Sequence, residues 1–311
     1  MTALVSIVMP VWQPRPEWLR AAVLSALDER ACPIELIVVD DACPQPVAEL
    51  LAQIDDPRLR VVRIEHAGAY GARNAGIALA RGTHVRFFDA DDLVEPGSTG
   101  RLLALAGSDG AAIAYGATMM CDEALAPQRV VGSTLEGDVS EACVRGVFEV
   151  FVVSILFPRA AVERAGPWEE TAFEVSGDWD FVLRALEQAP ARRLDAVVTR
   201  YRRHSSSITR RADVAAGARA GRLVIDRYFE RHPERRGTPL ERQAYARLHL
   251  DRARAHAARG ERAGAAGQLA RAARHAPAAA LATGGGWVVG ALRALIRAAP
   301  RRARRAPRTP A

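Results

Sequence analysis

The sequence predicts an α/β fold: a mostly parallel sheet flanked by helices, with an α-helical C-terminal region. Three observations carry this. Short β-rich runs alternate with amphipathic stretches through the first half of the 311 residues. The runs are near-continuously apolar, as strands buried on both faces are. After about residue 205 the character changes to Ala- and Arg-rich helix.

The predicted strands come in order. "LVSIVMPV", "IELIVVD", "LRVVRIE" and "THVRFFD" are the first four, separated by helical patterns over Glu17 to Leu27, Pro46 to Ile54 and Tyr70 to Ala80. Alternation at this spacing means right-handed βαβ crossovers. "AAIAYGATMM" reads as a fifth strand, "VFEVFVVSILF" as a sixth, and "LDAVVTRYRR" is also strand-like. Residues 239–277 read as two helices broken near Gly260 and stopped by Pro277, in the manner of one tetratricopeptide-type hairpin. The expected domains are 1–205, 206–284 and 285–311, the last a basic amphipathic helix with an Arg-rich tail.

Composition excludes several classes. Hydrophobic residues make up 49% and charged residues 25%, ordinary for a globular protein. The net charge of +7 resides in the tail, where Arg293, Arg297, Arg301, Arg302, Arg304, Arg305 and Arg308 lie and no acid follows Glu261. A nucleic-acid groove across the fold is therefore not expected. All 43 basic residues are Arg. The four cysteines show no CxxC spacing, which argues against zinc and for a reduced, cytoplasmic chain. "MTALVSIVMPV" lacks a basic leader and a cleavage site and reads as a strand. The longest uncharged stretch, Ala276 to Leu292, has 17 residues and falls short of a membrane span. Val288, Leu292, Leu295, Ile296 and Ala299 share one helical face opposite Arg293, Arg297 and Arg304. Such a helix suits anionic lipid, placing the chain peripherally at the inner face of a membrane, or docks on its own domain.

The chemistry-bearing stretches lie at strand ends, where ligands of open α/β sheets collect. "RFFDADDLVEP" sets Asp89, Asp91 and Asp92 against an apolar strand, and "VVDDA" sets Asp40 and Asp41 at another. An isolated D-x-D is a turn in which Asp92 or Glu95 caps the helix that Pro96 begins. Two acidic groups on one rim favour a hard cation, Mg²⁺ or Mn²⁺, completed by phosphates. In "HAGAYGARNAGIALARG", Gly68, Gly71 and Gly76 allow close backbone approach, and the following helix offers N–H groups to an anion. Arg73 and Asn74 are its polar candidates, while Gly76 equally permits tight helix–sheet packing. In "SGDWDFVLRAL", Asp178 and Asp180 point in different directions on a helix, so only one faces a site.

In their order and spacing these stretches, with "VSIVMPVWQPRPEWLRAAVLSAL", resemble the family 2 glycosyltransferases and their GT-A (Rossmann-like) nucleotide-sugar-binding domain over residues 4 to about 205. The resemblance implies a metal-dependent, inverting transferase of the cell-envelope polysaccharide type. It would move a single sugar from a nucleotide-diphosphate donor to a glycan, lipid-linked or small-molecule acceptor. Carried over, Pro10 and Val11 line the nucleoside pocket and Asp40 takes the base. Gly71, Arg73 and Asn74 belong to the donor site, and Asp89 sits near the ribose. Asp91 binds the metal, with Asp89 and His204 near it, and Asp178 is the base. Arg202 and Arg203 are candidates to hold the diphosphate. Two departures stand out: Gly177 replaces the acid often found before the base, and Trp12–Gln13 replaces an aromatic–Asn pair. Neither the Q-x-x-R-W motif nor the spans of processive members occur, favouring single addition. Gly177 leaves open a non-catalytic scaffold acting through the helical C-terminal region. A nucleotidylyltransferase is disfavoured by the bulky "PVWQPRPEW" loop.

Overall fold

Val5–Val11 (β1) is the strand from which the sheet grows, pairing in parallel with Ile34–Asp41 (β2) on one side and His84–Phe87 (β4) on the other. Leu59–Ile64 (β3) adds to β2, again in parallel. The structure, a computed structural model, describes residues 3–107, 110–205 and 214–276. β2 is buried along its whole length and β1 almost so, as their unbroken apolar runs require. β3 is an edge strand, half-exposed, and its arginines flank a Val-Val pair accordingly. The crossovers are Pro16–Leu27 (α1), the short Val47–Leu50 (α2) and Gly68–Leu79 (α3). α3 lies so close to the sheet that a Cβ on Gly76 would sit 2.3 Å from Val8 Cγ1. Gly76 is a packing glycine.

Beyond β4 the sheet becomes mixed. The remaining elements are Leu93–Val94 (β5), Ser98–Ala106 (α4), Ile113–Cys121 (β6), Pro127–Val131 (β7), Ser140–Val144 (α5), Ile155–Pro158 (β8), Arg159–Ala165 (α6), Gly177–Leu186 (α7) and Ala191–Arg202 (β9). Strand order is β3-β2-β1-β4-β8-β6-β9-β5, with β7 paired to β6. β8 runs antiparallel to both β4 and β6, and β5 antiparallel to β9, while β6 and β9 are parallel. The parallel character inferred from the sequence thus describes its first four strands. The apolar run "VFEVFVVSILF" yields a strand only over Ile155–Pro158, preceded by a 3₁₀ turn at Val152–Ser154. Of its earlier residues Phe148 is buried, edge-on to Tyr115 at 5.0 Å, and burial without pairing leaves the same apolar signature. Neither Asp92 nor Glu95 caps α4, which instead follows Gly97 in a left-handed conformation at φ +64°.

One buried cation ties the two halves of the sheet together. Arg86, on β4, is fully buried. It donates to Thr99 Oγ1 at 2.7 Å, Ser98 Oγ at 3.2 Å, Val198 O and Thr199 Oγ1 at 2.9 Å, and Val153 O at 3.3 Å. Burial draws its pKa down to about 10, so it stays charged at neutral pH. A guanidinium presents its five N–H groups in a fixed fork, which a lysine does not.

The chain divides into two compact units, Met1–Tyr228 and Phe229–Ala311, so the first extends past the boundary inferred at residue 205 and takes in most of the helix Val214–Arg231 (α8). In the second unit, Pro239–Ala258 (α9) and Arg262–His275 (α10) flank Gly260 at φ +76°. They pack through Leu250, Ala253, Leu269 and Ala272. No helix among the described residues is long and apolar enough to cross a membrane. The inferred basic helix and tail, 285–311, lie outside the described residues.

Arg86→Ala removes a large buried side chain and strands several buried acceptors. It is expected to cost about 3–5 kcal/mol of stability, read by urea unfolding. Arg86→Lys should recover less than half of that loss.

Candidate active site

The carboxylates gather at the C-terminal rim of the parallel strands. Asp89, Asp91 and Asp92 follow β4, and each is met by a donor from a different part of the chain. Arg73 Nη2, on α3, donates to Asp89 Oδ1 at 2.7 Å. His204 Nε2, just after β9, lies 2.7 Å from Asp91 Oδ2. The amide of Arg202 donates to Asp92 Oδ1 at 2.8 Å. Asp92 is fully buried and its Oδ2 has no hydrogen-bond partner. Burial first, then repulsion from Asp91 and Asp89, holds its pKa well above the ordinary value. Burial and Asp89 likewise raise Asp91, partly offset by the His204 hydrogen bond. Trp18, on α1, covers this pair of strands' ends: its ring lies 4.9 Å from that of His204 and 4.6 Å from the guanidinium of Arg202.

Arg202 is not a phosphate ligand in this arrangement. It is buried, and it spends its side chain on Asp91 O at 2.9 Å and Glu123 O at 2.6 Å. Arg203 is exposed, with a long contact to Gln128 at 3.4 Å.

Arg73 is also buried, its guanidinium 4.7 Å from the centre of the Trp168 ring. Trp168 stacks on Phe181 at 4.2 Å and on Tyr70 at 5.7 Å. Asn74 pins this indole in place: its amide donates to Trp168 O at 2.9 Å and accepts from Trp168 N at 2.8 Å. A third bond runs to Glu170 Oε1 at 2.9 Å. Asn74, inferred to contact the donor, is thus engaged with its own chain. Gly71 leaves no open space either, since a Cβ there would lie 2.5 Å from that of Ala67.

On α7 the two acids separate as helical geometry requires. Asp180 is buried and bonds Arg184 Nε at 2.8 Å. Asp178 is half-buried in the first turn, and its pKa is raised, by desolvation above all and by Asp89, with Arg73 and the Trp179 amide opposing. Asp178, Arg73 and Asp89 therefore share one electrostatic neighbourhood.

The β2 acids form the other end of the rim. Asp40 is buried. Its carboxylate accepts from the amides of Cys43 at 2.8 Å and Val47 at 3.1 Å and from Arg63 Nη1 at 2.8 Å. Burial pushes its pKa up, but these bonds more than offset that and leave it below the ordinary value. Asp40, inferred from sequence to contact the base, is thus bonded to its own loop and to Arg63. Asp41 accepts from the amides of Ala67 at 2.7 Å and Gly68 at 3.0 Å, and pairs with His66 at 2.9 Å. Val11 is in register with Asp40, and Pro10 with Val39. Trp12 beside them is 55% exposed, its ring 5.4 Å from that of His66. β2 and β4 flank β1, so the two ends of the rim are about two strand spacings, ~10 Å, apart.

Among the described residues, no three His, Cys, Asp or Glu side chains gather as a metal cage would. One partly open carboxylate, Asp91, its own ionisation penalised by burial and by the neighbouring Asp89 charge, fits a cation held jointly with a ligand's phosphates. His204 serves as the partner of Asp91. Sequence reasoning missed Trp18, Trp168 and Tyr70, whose only signal was their aromatic character.

The sheet and its flanking helices have the GT-A fold. The fold is like that of a solved S. aureus TarS 1–349 structure in complex with UDP-GlcNAc, at TM-score 0.65 and 14% identity, covering 89% of this chain and 83% of that one. Residues 6–136 match the model of Glycosyl transferase family 2. Two relatives are the succinoglycan biosynthesis protein ExoO of Rhizobium meliloti and WfaP of Escherichia coli. ExoO is 40% identical over 94 residues, covering 30% of this chain and 27% of the relative. WfaP is named as a UDP-Glc:alpha-D-GlcNAc-diphosphoundecaprenol beta-1,3-glucosyltransferase. It is 32% identical over 90 residues, covering 29% of this chain and 36% of the relative. The chain thus spans about a third or less of the length of these relatives.

Asn74→Ala frees both backbone groups of Trp168. It is expected to lower stability by about 1–3 kcal/mol in denaturant unfolding, whereas a residue that only touched ligand would leave stability unchanged.

Proposed function

We propose that the protein transfers a single sugar, with inversion, from a nucleotide-diphosphate donor to a glycan, lipid-linked or small-molecule acceptor in the synthesis of a cell-envelope polysaccharide. The supporting observation is the meeting of Asp178 with Asp89 and Arg73, beside the Asp91–His204 pair, on one rim. The names of ExoO and WfaP point to the same class of product and donor.

Each residue has a task. Trp12 and His66 give the nucleobase an exposed aromatic surface at the β2 end, shaped by the Asp40-anchored loop and by Pro10 and Val11. The diphosphate reaches across β1 towards Asp89 and Asp91. Asp91 would hold a Mg²⁺ or Mn²⁺ ion, which when bound would offset the charge of the leaving diphosphate. Asp178 takes the proton of the acceptor hydroxyl as its oxygen bonds the anomeric carbon from the far face. The bond from that carbon to the β-phosphate oxygen breaks, and the nucleoside diphosphate leaves with the electron pair. A raised pKa makes the ionised Asp178 a better proton acceptor. Arg73 fixes Asp89 and limits how far Asp178 is raised. The scaffold reading loses its one support, because Gly177 has a steric reason given below.

Transfer from UDP-, GDP- and dTDP-sugars, with Mn²⁺ or EDTA, tests the reading; activity with one donor that EDTA abolishes is expected. Asp178→Asn should lower turnover by at least ~10²-fold while donor binding persists. The base works ionised, so turnover should fall as pH drops, along a limb centred above the ordinary Asp value of 3.8. Metal-independent transfer, or full turnover by Asp178→Asn, would defeat it.

A further inference from the structure

Position 177 has no room for a side chain. A Cβ there would lie 2.6 Å from Tyr70 Cζ and 2.8 Å from both Cε2 and the phenolic oxygen. The tyrosine ring is not free to retreat. It stacks on Trp168 with the planes 10° apart, Trp168 stacks on Phe181 at 6°, and Asn74 clamps Trp168 by its backbone. The phenolic oxygen accepts the Gly177 N–H at 2.9 Å. Ser176 sits at the N-cap with φ +64° and makes no side-chain cap, and Asp178 Oδ1 takes the Trp179 N–H at 2.9 Å, so the Gly177 N–H is left to Tyr70. Tyr70 therefore caps α7 from 107 residues away. The capped amide is one residue from Asp178. Tyr70 and Arg73 stand on the same helix, α3, one holding the start of α7 and the other holding Asp89.

We propose that Tyr70 is the positioning residue for Asp178, occupying the place of a side chain at 177 and setting the base against the donor end of the site. This rests on the glycosyltransferase reading above. α3 becomes the ruler between base and donor, and Gly177 is the form that position 177 takes when a tyrosine stands at 70.

Two measurements decide it. In the full chain, Tyr70→Phe keeps the ring and loses the cap; kcat is expected to fall about tenfold with the donor KM within about twofold, beside a Tm loss of only a few degrees. Wild-type kcat in Tyr70→Phe, or a loss that simply follows Tm, would overturn the positioning role. The second measurement uses no substrate: Tm for wild type, Tyr70→Ala, Gly177→Ala and the double variant. Gly177→Ala should destabilise the wild type strongly and the Tyr70→Ala background little. Additive Tm changes would overturn the claim that the two positions exclude each other. Should the wild type transfer sugar from no donor, the functional reading fails with the positioning role, while the Tm cycle still judges the steric pairing by itself.

Discussion

Three carboxylates within four residues, Asp89, Asp91 and Asp92, must coexist at the end of a buried strand, and the site is organised around that difficulty. Like charges at this spacing raise one another's cost of ionisation, and burial adds to it. The protein answers by giving each acid its own donor: a guanidinium for Asp89, an imidazole for Asp91, a backbone amide for Asp92. None of these donors comes from the strand that carries the acids. The placement of α3 and of the end of β9 follows from this need, because both must reach the same loop.

A second layer fixes the donors themselves. Arg73 is held over Trp168, which is locked between Tyr70 and Phe181, while Arg202 and His204 lie under Trp18. Flat rings suit this task because they bury a large apolar area and accept a cation on the face. The aromatic layer also links the acid loop to α7, so a shift of the base-bearing helix is resisted by the same rings that orient Arg73.

The sequence made the first four strands legible because β1, β2 and β4 are covered on both faces and read as mostly apolar runs, Arg86 in β4 being a buried exception. The acids at their ends were legible for the same reason, since polarity breaks abruptly there. Helical periodicity separated Asp178 from Asp180, and Asp180 indeed pairs within its own helix with Arg184. What escaped depends on contacts distant in sequence. Arg73 and Asn74 look like exposed polar residues between alanines and glycines, and only the arrival of Trp168 buries the one and occupies the other. Asp40 read as a base ligand because its own loop, which consumes it, has no sequence signature. Gly177 read as a lost acid because nothing local announces a tyrosine on another helix.

The reach of these contacts sets an order of events during synthesis. His204 follows Asp91 by 113 residues, Arg202 follows Asp92 by 110, and Trp168 follows Asn74 by 94. At ~5–20 residues per second, a ribosome leaves Asp91 and Asp92 without their partners for roughly ten seconds. Through that interval only Asp89 has its donor, Arg73, already made. The repulsion that the finished site keeps in check is at that stage a brake on premature closure.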